Sequence, residues 1–210
     1  MIKNILIAAA IGAAAFGAQA STNLITNGGF EDATIGGPNA GDYCYTIRWG
    51  SCSAAGWSPS LLITSGSGAW GVPSASAGSI AVGDFVAGIQ QNDDLTSDVV
   101  LHAGYTYLLT WDDAGRAGYS DHAYDVLASG ATVGSFTTAY GGQSWSEHSL
   151  SFTAGADGAL VFDGIATSWD GTTFIDNVSL SVTSVPEPAN VVLVLAGVLA
   201  LVASRRRAQV

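Results

Sequence analysis

Positive charge is scarce in this sequence of 210 residues. Only 6 residues are Lys or Arg, against 17 Asp or Glu residues. Lys3 and Arg205–Arg207 account for all basic residues except Arg48 and Arg116, whereas every acidic residue but Glu187 lies in the middle of the chain. Such an acidic surface repels nucleic acids and anionic lipid headgroups, so the sequence predicts no nucleic-acid partner.

Charged residues of both signs are also few, at 11% of the chain, and long apolar runs are confined to its two ends. The 27 Gly and 6 Trp residues, together with abundant Ser and Thr, are typical of an all-β domain. This composition argues against a helical bundle and against a disordered acidic tail. The length between the two ends fits one domain with a core of its own.

The N-terminal apolar run has the three parts of a secretory signal peptide. Lys3 supplies a positive charge, residues 5–16 are mostly Ala, Ile and Leu, and Ala18 and Ala20 match the small-x-small pattern before a cleavage site. We therefore expect signal peptidase to remove residues 1–20. The alternative is an N-terminal anchor helix, which the shortness of the run disfavours.

Cysteine is nearly absent, since Cys44 and Cys52 are the only two. An even number of cysteines in an exported chain favours a disulfide, which here would close a short loop. Two free thiols or a metal-binding pair are the alternatives. A zinc site is disfavoured because no further Cys or His residues lie near these two in the sequence.

The C-terminal apolar run is followed at once by positive charge. Residues 189–204 reach the lower limit for crossing a bilayer, and Arg205, Arg206 and Arg207 follow them, as expected on the cytoplasmic side. A buried core helix of this length is the alternative, but such a helix is rarely apolar on all sides. The run therefore predicts a precursor that is anchored by a C-terminal transmembrane helix and exposes its domain outside.

Pro186, Glu187 and Pro188 stand just before this apolar run. The triplet, the run and the arginines, in this order, resemble the PEP-CTERM sorting signal. That resemblance implies cleavage near the triplet by a membrane-embedded exosortase in a Gram-negative bacterium that makes exopolysaccharide. It also implies a precursor in the inner membrane that is then released or transferred to the cell surface. The prolines agree with an extended cleavage site, because they disfavour helix.

Between the two ends, short apolar segments alternate with Gly, Asn, Asp and Ser, which predicts many short strands and no long helix. The alternation is clearest at Leu150 and Phe152, with serines between and beside them. The predicted strands are 79–91, 105–111, 122–128, 131–137, 147–153, 159–165 and 173–182. No internal repeat is visible. The pattern predicts one β-sandwich over residues 21–183, followed by the sorting signal at 184–210.

Several motifs carry a second resemblance. The domain opens with NLITNGGFED at Asn23–Asp32 and closes with FIDNVSLSV at Phe174–Val182, and between them lie Gly56-Trp57, YLLTWDDAGR and WSEHSLSFTA. Together they resemble galactose-binding-like jelly rolls, a group that includes carbohydrate-binding modules. The resemblance implies a jelly-roll β-sandwich and a glycan partner.

Asp176 is unusual in the closing segment, because alternation places it on one face with Phe174, Val178 and Leu180. If that face is the core, the carboxylate is costly unless it is hydrogen-bonded or bound to a metal. In the resembling domains a structural Ca²⁺ often lies where the first and last strands meet, and Glu31 and Asp176 match its ligand positions. The alternative is that Asp176 accepts backbone N–H groups while Glu31 is exposed.

Motifs for catalysis are missing. The sequence has no Gly-x-Ser-x-Gly elbow and no His-Glu-x-x-His motif, and its three histidines are scattered. Glycoside hydrolysis needs two carboxylates across a cleft, and the neighbours Asp112 and Asp113 would face opposite sides of a strand. The acidic stretch Asn92–Asp98 lacks the Gly and final Glu of an EF-hand loop, so we expect a solvated loop there. We expect a protein that is not an enzyme.

Loop aromatics are the candidates for sugar binding, because apolar faces of sugars stack on aromatic rings. Four aromatic residues lie in Gly-rich or Ser-rich contexts: Trp70, Tyr119, Tyr140 and Trp169. Packing within the protein is the alternative for each of them. Trp57, Trp111 and Trp145 lie in motif-like or strand positions, and we expect them in the core.

Two function classes follow from these observations. The first is a non-catalytic module that binds exopolysaccharide or a cell-surface glycan. The second is a structural protein of the biofilm matrix or cell surface that acts by self-association. A glycoside hydrolase is the weaker third alternative.

Overall fold

The computed structural model of the protein describes residues 22–39, 41–46, 52–73, 83–139, 144–165 and 170–186. These residues form thirteen β-strands. The strands are β1 Ala33–Thr34, β2 Tyr43–Tyr45, β3 Ser53–Ala54, β4 Trp57–Pro59, β5 Leu61–Thr64, β6 Phe85–Gln90, β7 Asp94–Leu101, β8 Thr106–Gly115, β9 His122–Ala128, β10 Ala131–Thr138, β11 Ser146–Thr153, β12 Gly158–Ile165 and β13 Thr172–Ser184.

The strands pair into two antiparallel sheets that pack face to face. One sheet has seven strands in the order β1-β3-β4-β7-β12-β9-β10, and the other has six in the order β11-β8-β13-β6-β5-β2. The prediction of an all-β sandwich is therefore confirmed. The predicted loop at Asn92–Asp98 is wrong in part, because β7 begins at Asp94.

The main core lies between the sheets and follows the alternation of the strands. In β8, the side chains of Tyr107, Leu109 and Trp111 point into it and are almost fully buried. Trp57 joins the same core from β4, where its ring packs against Phe30 at a centroid distance of 5.1 Å. The core positions predicted for Trp57 and Trp111 are confirmed.

A second apolar cluster covers the outer face of the six-stranded sheet. In β5, Leu62 belongs to the main core, whereas Leu61 and Ile63 belong to this outer cluster, as expected for opposite faces of one strand. Segments between strands place Trp70 and Trp145 over this face. Trp145 is thus buried as predicted, although in the outer cluster rather than between the sheets.

A disulfide joins Cys44 and Cys52, as predicted, with a Cα–Cα distance of 6.2 Å. Cys44 lies in β2 of the six-stranded sheet, and Cys52 directly precedes β3 of the seven-stranded sheet. The disulfide therefore links the two sheets to each other at one side of the sandwich. Such a cross-link limits the unfolded chain and is worth about 2–3 kcal/mol for a short loop.

Several predicted features lie outside the described residues. They are the cleavage positions Ala18 and Ala20, the sorting residues Glu187, Pro188, Arg205, Arg206 and Arg207, the apolar run 189–204, and the aromatics Tyr140 and Trp169. Pro186 is the last residue described, and it lies beside Gly104. Within the described ranges, no helix has the length and apolar character needed to span a membrane.

Candidate functional site

The closing strand carries a β-bulge that reverses the expected direction of Asp176. Asn177 has a φ of 51°, and the pairing of β13 with β8 shifts register between Asp176 and Ser179. Ile175 and Val178 both pack in the main core, while Phe174 packs in the outer cluster. Asp176 therefore lies on the outer face of its sheet, and the predicted inward direction is wrong because the bulge adds one residue.

Asp176 is nevertheless buried, with only 1% of its surface exposed. Its Oδ1 accepts the Asn177 backbone N–H at 2.7 Å, while Oδ2 has no hydrogen-bond partner among the described residues. Burial is the main cause that raises the pKa of Asp176 to about 8, and the negative charges of Glu31 and Asp112 raise the pKa further. The hydrogen bond from the Asn177 N–H lowers the pKa, but by less. The site therefore favours a proton or a cation on this carboxylate.

Asp112 lies directly opposite Asp176 in the β13–β8 register, and Glu147 lies opposite Asp112 in the β11–β8 register. Burial is the main cause that raises the pKa of Asp112, and Glu147 adds to it. The Asn177 side-chain amide opposes this rise by donating to Asp112 Oδ2 at 2.8 Å. Three carboxylates thus form one row across the outer face of the sheet.

Glu31 approaches the same place from the segment before β1. Its carboxylate accepts the backbone N–H groups of Asp84 at 2.9 Å and of Phe85 at 3.3 Å. Gly29 lies between the two acids, since a Cβ there would be 3.7 Å from Asp176 Oδ1 and 4.0 Å from Glu31 Cγ. The predicted pair is therefore brought together, and we call Glu31, Asp112 and Asp176 the carboxylate cluster.

The carboxylate cluster meets some requirements of a calcium site. Its donors are oxygens, which Ca²⁺ prefers, and Asp176 Oδ2 is a buried oxygen with no partner in the parts of the chain that are described. Both Glu31 oxygens already accept backbone N–H groups. No group of three or more His, Cys, Asp or Glu side chains in the described ranges is arranged to hold a metal. Asp176 and Glu31 are the residues that could ligate Ca²⁺ here.

A cavity of about 380 Å³ opens beside the disulfide, between the edges of the two sheets. We call it the hydroxyl cleft, because four of its eight lining residues carry hydroxyl groups. The lining residues are Thr46, Cys52, Ser53, Trp57, Ser58, Pro59, Ser60 and Asp94. Its volume falls within the range of about 300–1,000 Å³ that is usual for small-ligand sites.

The polar groups of the hydroxyl cleft differ in how firmly they are held. Thr46 Oγ1 donates to the Pro59 carbonyl at 2.6 Å, and Ser60 Oγ donates to the Asp94 carbonyl at 3.1 Å. Ser53, Ser58 and Asp94 are exposed to solvent. The cleft therefore combines two fixed hydroxyls with two accessible ones and one accessible carboxylate.

Trp57 and Pro59 also line the cleft, and both are buried. Trp57 is 5% exposed, and its Nε1 lies 3.1 Å from both the Thr26 and the Asn27 carbonyl oxygens, which fixes the ring. Reasoning from the sequence missed this site, because its residues come from four separate strands and segments. The only local signal was the alternation of Ser58 and Ser60 around Pro59.

The predicted sugar-binding role of Trp70 needs correction. Trp70 is 4% exposed, and Tyr43 and Tyr45 contact it edge-on at 5.5 and 6.0 Å. The Arg116 guanidinium lies between two rings, 4.1 Å from the Trp70 centroid and 3.9 Å from the Tyr119 centroid. Trp70 thus has no free face for a sugar, whereas Tyr119 remains 37% exposed.

Arg116 also connects the loops around Trp70 and Asp170. It is the only Lys or Arg among the described residues. It donates to the Ala69 carbonyl at 3.0 Å and lies 3.3 Å from Asp170 Oδ2. Asp170 Oδ1 in turn accepts the Gln90 side-chain amide at 2.7 Å. These contacts explain why Trp70 is covered rather than presented to solvent.

A polar chain crosses the main core near β11. Trp111 Nε1 donates to the Tyr124 hydroxyl at 2.9 Å, and that hydroxyl donates to Asp113 Oδ2 at 2.8 Å. His148 Nε2 lies 3.0 Å from Asp113 Oδ1, without the alignment of a hydrogen bond. Burial and the nearby Asp113 raise the pKa of Tyr124, so this hydroxyl remains a donor. The chain satisfies a carboxylate that would otherwise be costly to bury.

Comparisons with known proteins give a partial likeness only. No protein-family model matches the chain, and no curated protein matches it in sequence. Among solved structures, the K3 adhesin domain of Lys-gingipain from Porphyromonas gingivalis is 16% identical, with a TM-score of 0.42, covering 61% of this chain and 93% of that one. The CBM22-1 xylan-binding domain of Xyn10C from Paenibacillus barcinonensis is 11% identical, with a TM-score of 0.44 and coverages of 80% and 99%.

A third match is the carbohydrate-binding module CBM36 in complex with calcium and xylotriose. It is 20% identical, with a TM-score of 0.35, covering 52% of this chain and 87% of that one. At these identities and TM-scores, the similarity assigns neither a family nor a ligand to this chain.

Proposed function

We propose that this chain is an exported, non-catalytic protein that binds exopolysaccharide or a cell-surface glycan, and that the hydroxyl cleft is its binding site. The observation that carries this proposal is the lining of the cleft. Four hydroxyl-bearing residues and Asp94 line it together with Trp57 and Pro59. A sugar ring has the matching character, because its hydroxyls both donate and accept while its C–H groups are apolar.

The charge of the chain narrows the class of glycan that suits the site. The formal net charge is −11, and the one carboxylate of the cleft is exposed. A polyanionic ligand would be repelled by this surface, so a neutral glycan suits the site better than an acidic one. Asp94 then accepts hydrogen bonds from sugar hydroxyls. Such bonds are strong, because the acceptor is charged.

Export and sorting complete the proposal. Signal peptidase removes residues 1–20, and the apolar run 189–204 holds the precursor in the inner membrane of a Gram-negative bacterium. An exosortase then cleaves near Pro186, Glu187 and Pro188. We further propose that the sandwich is a jelly roll of the galactose-binding-like type. The disulfide supports an oxidising destination outside the cytoplasm.

The carboxylate cluster supports a structural role for Ca²⁺. Asp176 and Glu31 would hold the ion where the segment before β1 meets β13. Ca²⁺ supplies positive charge there, which would offset the repulsion between the carboxylates and pair the free Asp176 Oδ2. The cation would thus fasten the two ends of the domain to each other, without a part in any reaction.

Calorimetry on the exported chain, purified from its host, tests the glycan proposal. The ligand is the neutral exopolysaccharide of the same host. We expect saturable binding that Asp94→Leu and Ser58→Leu weaken at least tenfold, because each removes a polar group from the cleft. Asp98→Leu is the matched control, since Asp98 is also exposed on β7 but does not line the cleft. Absence of binding, or equal loss in the control, contradicts the proposal.

A further inference from the structure

The sandwich has four outer strands, each of which has a neighbour on one side only among the described residues. They are β1 and β10 in the seven-stranded sheet and β11 and β2 in the six-stranded sheet. The outer edge of such a strand presents backbone N–H and C=O groups to any other chain that can pair with them. Natural proteins protect these edges by short length, bulges, prolines or charged residues, above all lysine.

Three of the four edges carry such protection. β1 has 2 residues and β2 has 3, so neither offers a long row of backbone groups. β10 has 8 residues, but its pairing with β9 shifts between Thr132 and Gly134, which bends the strand.

The fourth edge, β11, has only one of these features, a single charged residue. It has 8 residues, contains neither Pro, Lys nor Arg, and pairs with β8 from Ser146 to Thr153 without a register shift. Its only formally charged residue is Glu147, which points to the outer face. β11 is thus a long and regular edge, the kind that pairs readily with another strand.

Side chains beside this edge are only partly covered. Leu150 and Phe136 are half-buried and pack against the main core from β11 and β10. The His148 side chain is 25% exposed and stacks on Trp111 at a centroid distance of 5.0 Å. A strand added to β11 would bury the exposed parts of Leu150 and His148.

We propose that β11 pairs with β11 of a second copy of this chain, antiparallel and about a two-fold axis that passes at Leu150. The two six-stranded sheets then join into one continuous sheet. In this register Leu150 faces Leu150, and Ser149 faces Ser151 of the second copy. His148 faces Phe152, and Glu147 faces Thr153.

The pattern of residues in β11 favours a second copy as the partner. In the proposed register no like charges face each other, which matters in an acidic chain, and the leucines meet on the inner face. A slip by one residue would place Leu150 opposite Ser151, so the inner face of one copy would continue into the outer face of the other. A two-fold axis at Ser149 instead would place Phe152 opposite Ser146 and separate the leucines. Self-association of this kind needs no glycan, so it is independent of the hydroxyl cleft.

Sedimentation velocity of the purified exported chain, over a series of concentrations and without glycan, tests the proposal. We expect a reversible monomer–dimer equilibrium. Ser149→Lys with Ser151→Lys is expected to abolish the dimer, because facing lysines repel. Both residues are exposed, so the monomer should keep its melting temperature. Ala131→Lys with Thr137→Lys is the matched control, since both lie exposed on the other long edge, β10.

Cysteine cross-linking tests the register separately. Leu150→Cys is expected to give a covalent dimer on oxidation, because facing residues of an antiparallel pair lie within disulfide range. Ser151→Cys is expected to give little covalent dimer, because residue 151 faces Ser149 of the second copy. A monomer at all concentrations, a dimer unaffected by the β11 lysines, or cross-linking at Ser151 in preference to Leu150 would each overturn the proposal. A monomer that captures an unrelated extended peptide on β11 would overturn it in the same way.

Discussion

Asp176 and Asp112 face each other across the β13–β8 pair, although both are carboxylates and both are buried. Like charges in this position destabilise a sheet, and burial adds a desolvation cost. Asn177 contacts both, because its backbone N–H donates to Asp176 Oδ1 and its side-chain amide donates to Asp112 Oδ2. The bulge at Asn177 therefore brings the two carboxylates together, and Asp176 Oδ2 is left without a hydrogen-bond partner among the described residues.

Stability without calcium should fall as pH rises, because of Asp176. Its pKa is about 8 in the folded chain, against 3.8 as the ordinary value. Between these values the folded state holds a proton that the unfolded state releases, so the free energy of unfolding falls by up to about 1.4 kcal/mol per pH unit. Asp176→Asn should remove this slope. Denaturant titrations in chelator, at several pH values, measure it, and parallel curves for both proteins would contradict the prediction.

Calcium should raise the melting temperature of the wild-type chain near neutral pH. Any ligand that binds only the folded state stabilises it by mass action, and the effect grows with ligand concentration. Asp176→Asn and Glu31→Gln should each reduce the calcium-dependent rise, because each removes a charged oxygen ligand. Scanning calorimetry with calcium and then with excess chelator measures the rise. Magnesium is the control ion, and equal shifts with both ions would argue against a calcium site.

The all-β class and seven of the thirteen strands, β6 and β8 to β13, could be predicted from the sequence because apolar residues alternate with polar ones. In β8, Tyr107, Leu109 and Trp111 share the inner face, and the predicted and observed strands overlap closely there. β1 to β5 were missed because they have only two to four residues each, too few to show alternation. β7 was missed because acidic and hydroxyl side chains dominate its start. Leu95 and Ser97 are the residues buried in that stretch, and a serine gives no apolar signal.

The sites were harder to predict, because they depend on contacts between distant segments. Alternation cannot show an extra residue, so the bulge at Asn177 was invisible, although Asn is one of the few residues that tolerate positive φ. Trp70 lies in a loop as its Gly-rich and Ser-rich context suggested. The loop folds back over the sheet, however, and Arg116 covers the ring from a different segment.

Acid should destabilise the chain through His122. This side chain is fully buried, with Nε2 2.9 Å from the Gln91 carbonyl oxygen and Nδ1 3.2 Å from Thr173 Oγ1. Burial lowers the pKa of His122 below its ordinary value of 6.5. Below pH 6.5 the unfolded state therefore binds a proton that the folded state excludes, and stability is lost as pH falls.

His122→Gln isolates this effect. The variant should be less stable than the wild type at neutral pH, because Gln reproduces the two ring hydrogen bonds poorly. The difference between the two proteins should shrink as the pH falls below 6.5. Thermal unfolding at a series of pH values measures the difference, and a constant difference would contradict the assignment.

Replacing Asp163 should stabilise the chain. Asp163 in β12 lies opposite Asp94 on one side and opposite Asp125 on the other. Burial raises the pKa of Asp163, and these two carboxylates raise it further. Asp163→Asn should therefore raise the melting temperature at neutral pH, and added salt should reduce the gain because it screens the repulsion. Asp98→Asn is the control, since no carboxylate is registered opposite Asp98, and an equal gain there would contradict the explanation.

Removing the guanidinium of Arg116 should loosen the loop end of the sandwich. Arg116→Met keeps the length of the side chain but loses the contacts with the Ala69 carbonyl and Asp170, together with its cation–π contacts to Trp70 and Tyr119. We expect a loss of about 2–4 kcal/mol in the free energy of unfolding, because the acceptors lose a charged donor. Trp70 should also become accessible to a fluorescence quencher.

Tyr119→Leu provides the matched comparison for this last prediction. It removes one ring from Arg116 and leaves the ion pair with Asp170 and the hydrogen bond to Ala69 in place, so its loss of stability should be clearly smaller. Urea titrations followed by tryptophan fluorescence give both values. If the two variants lose equal stability, stacking rather than the charged contacts holds the loops. If Arg116→Met unfolds like the wild type, Arg116 does not stabilise these loops.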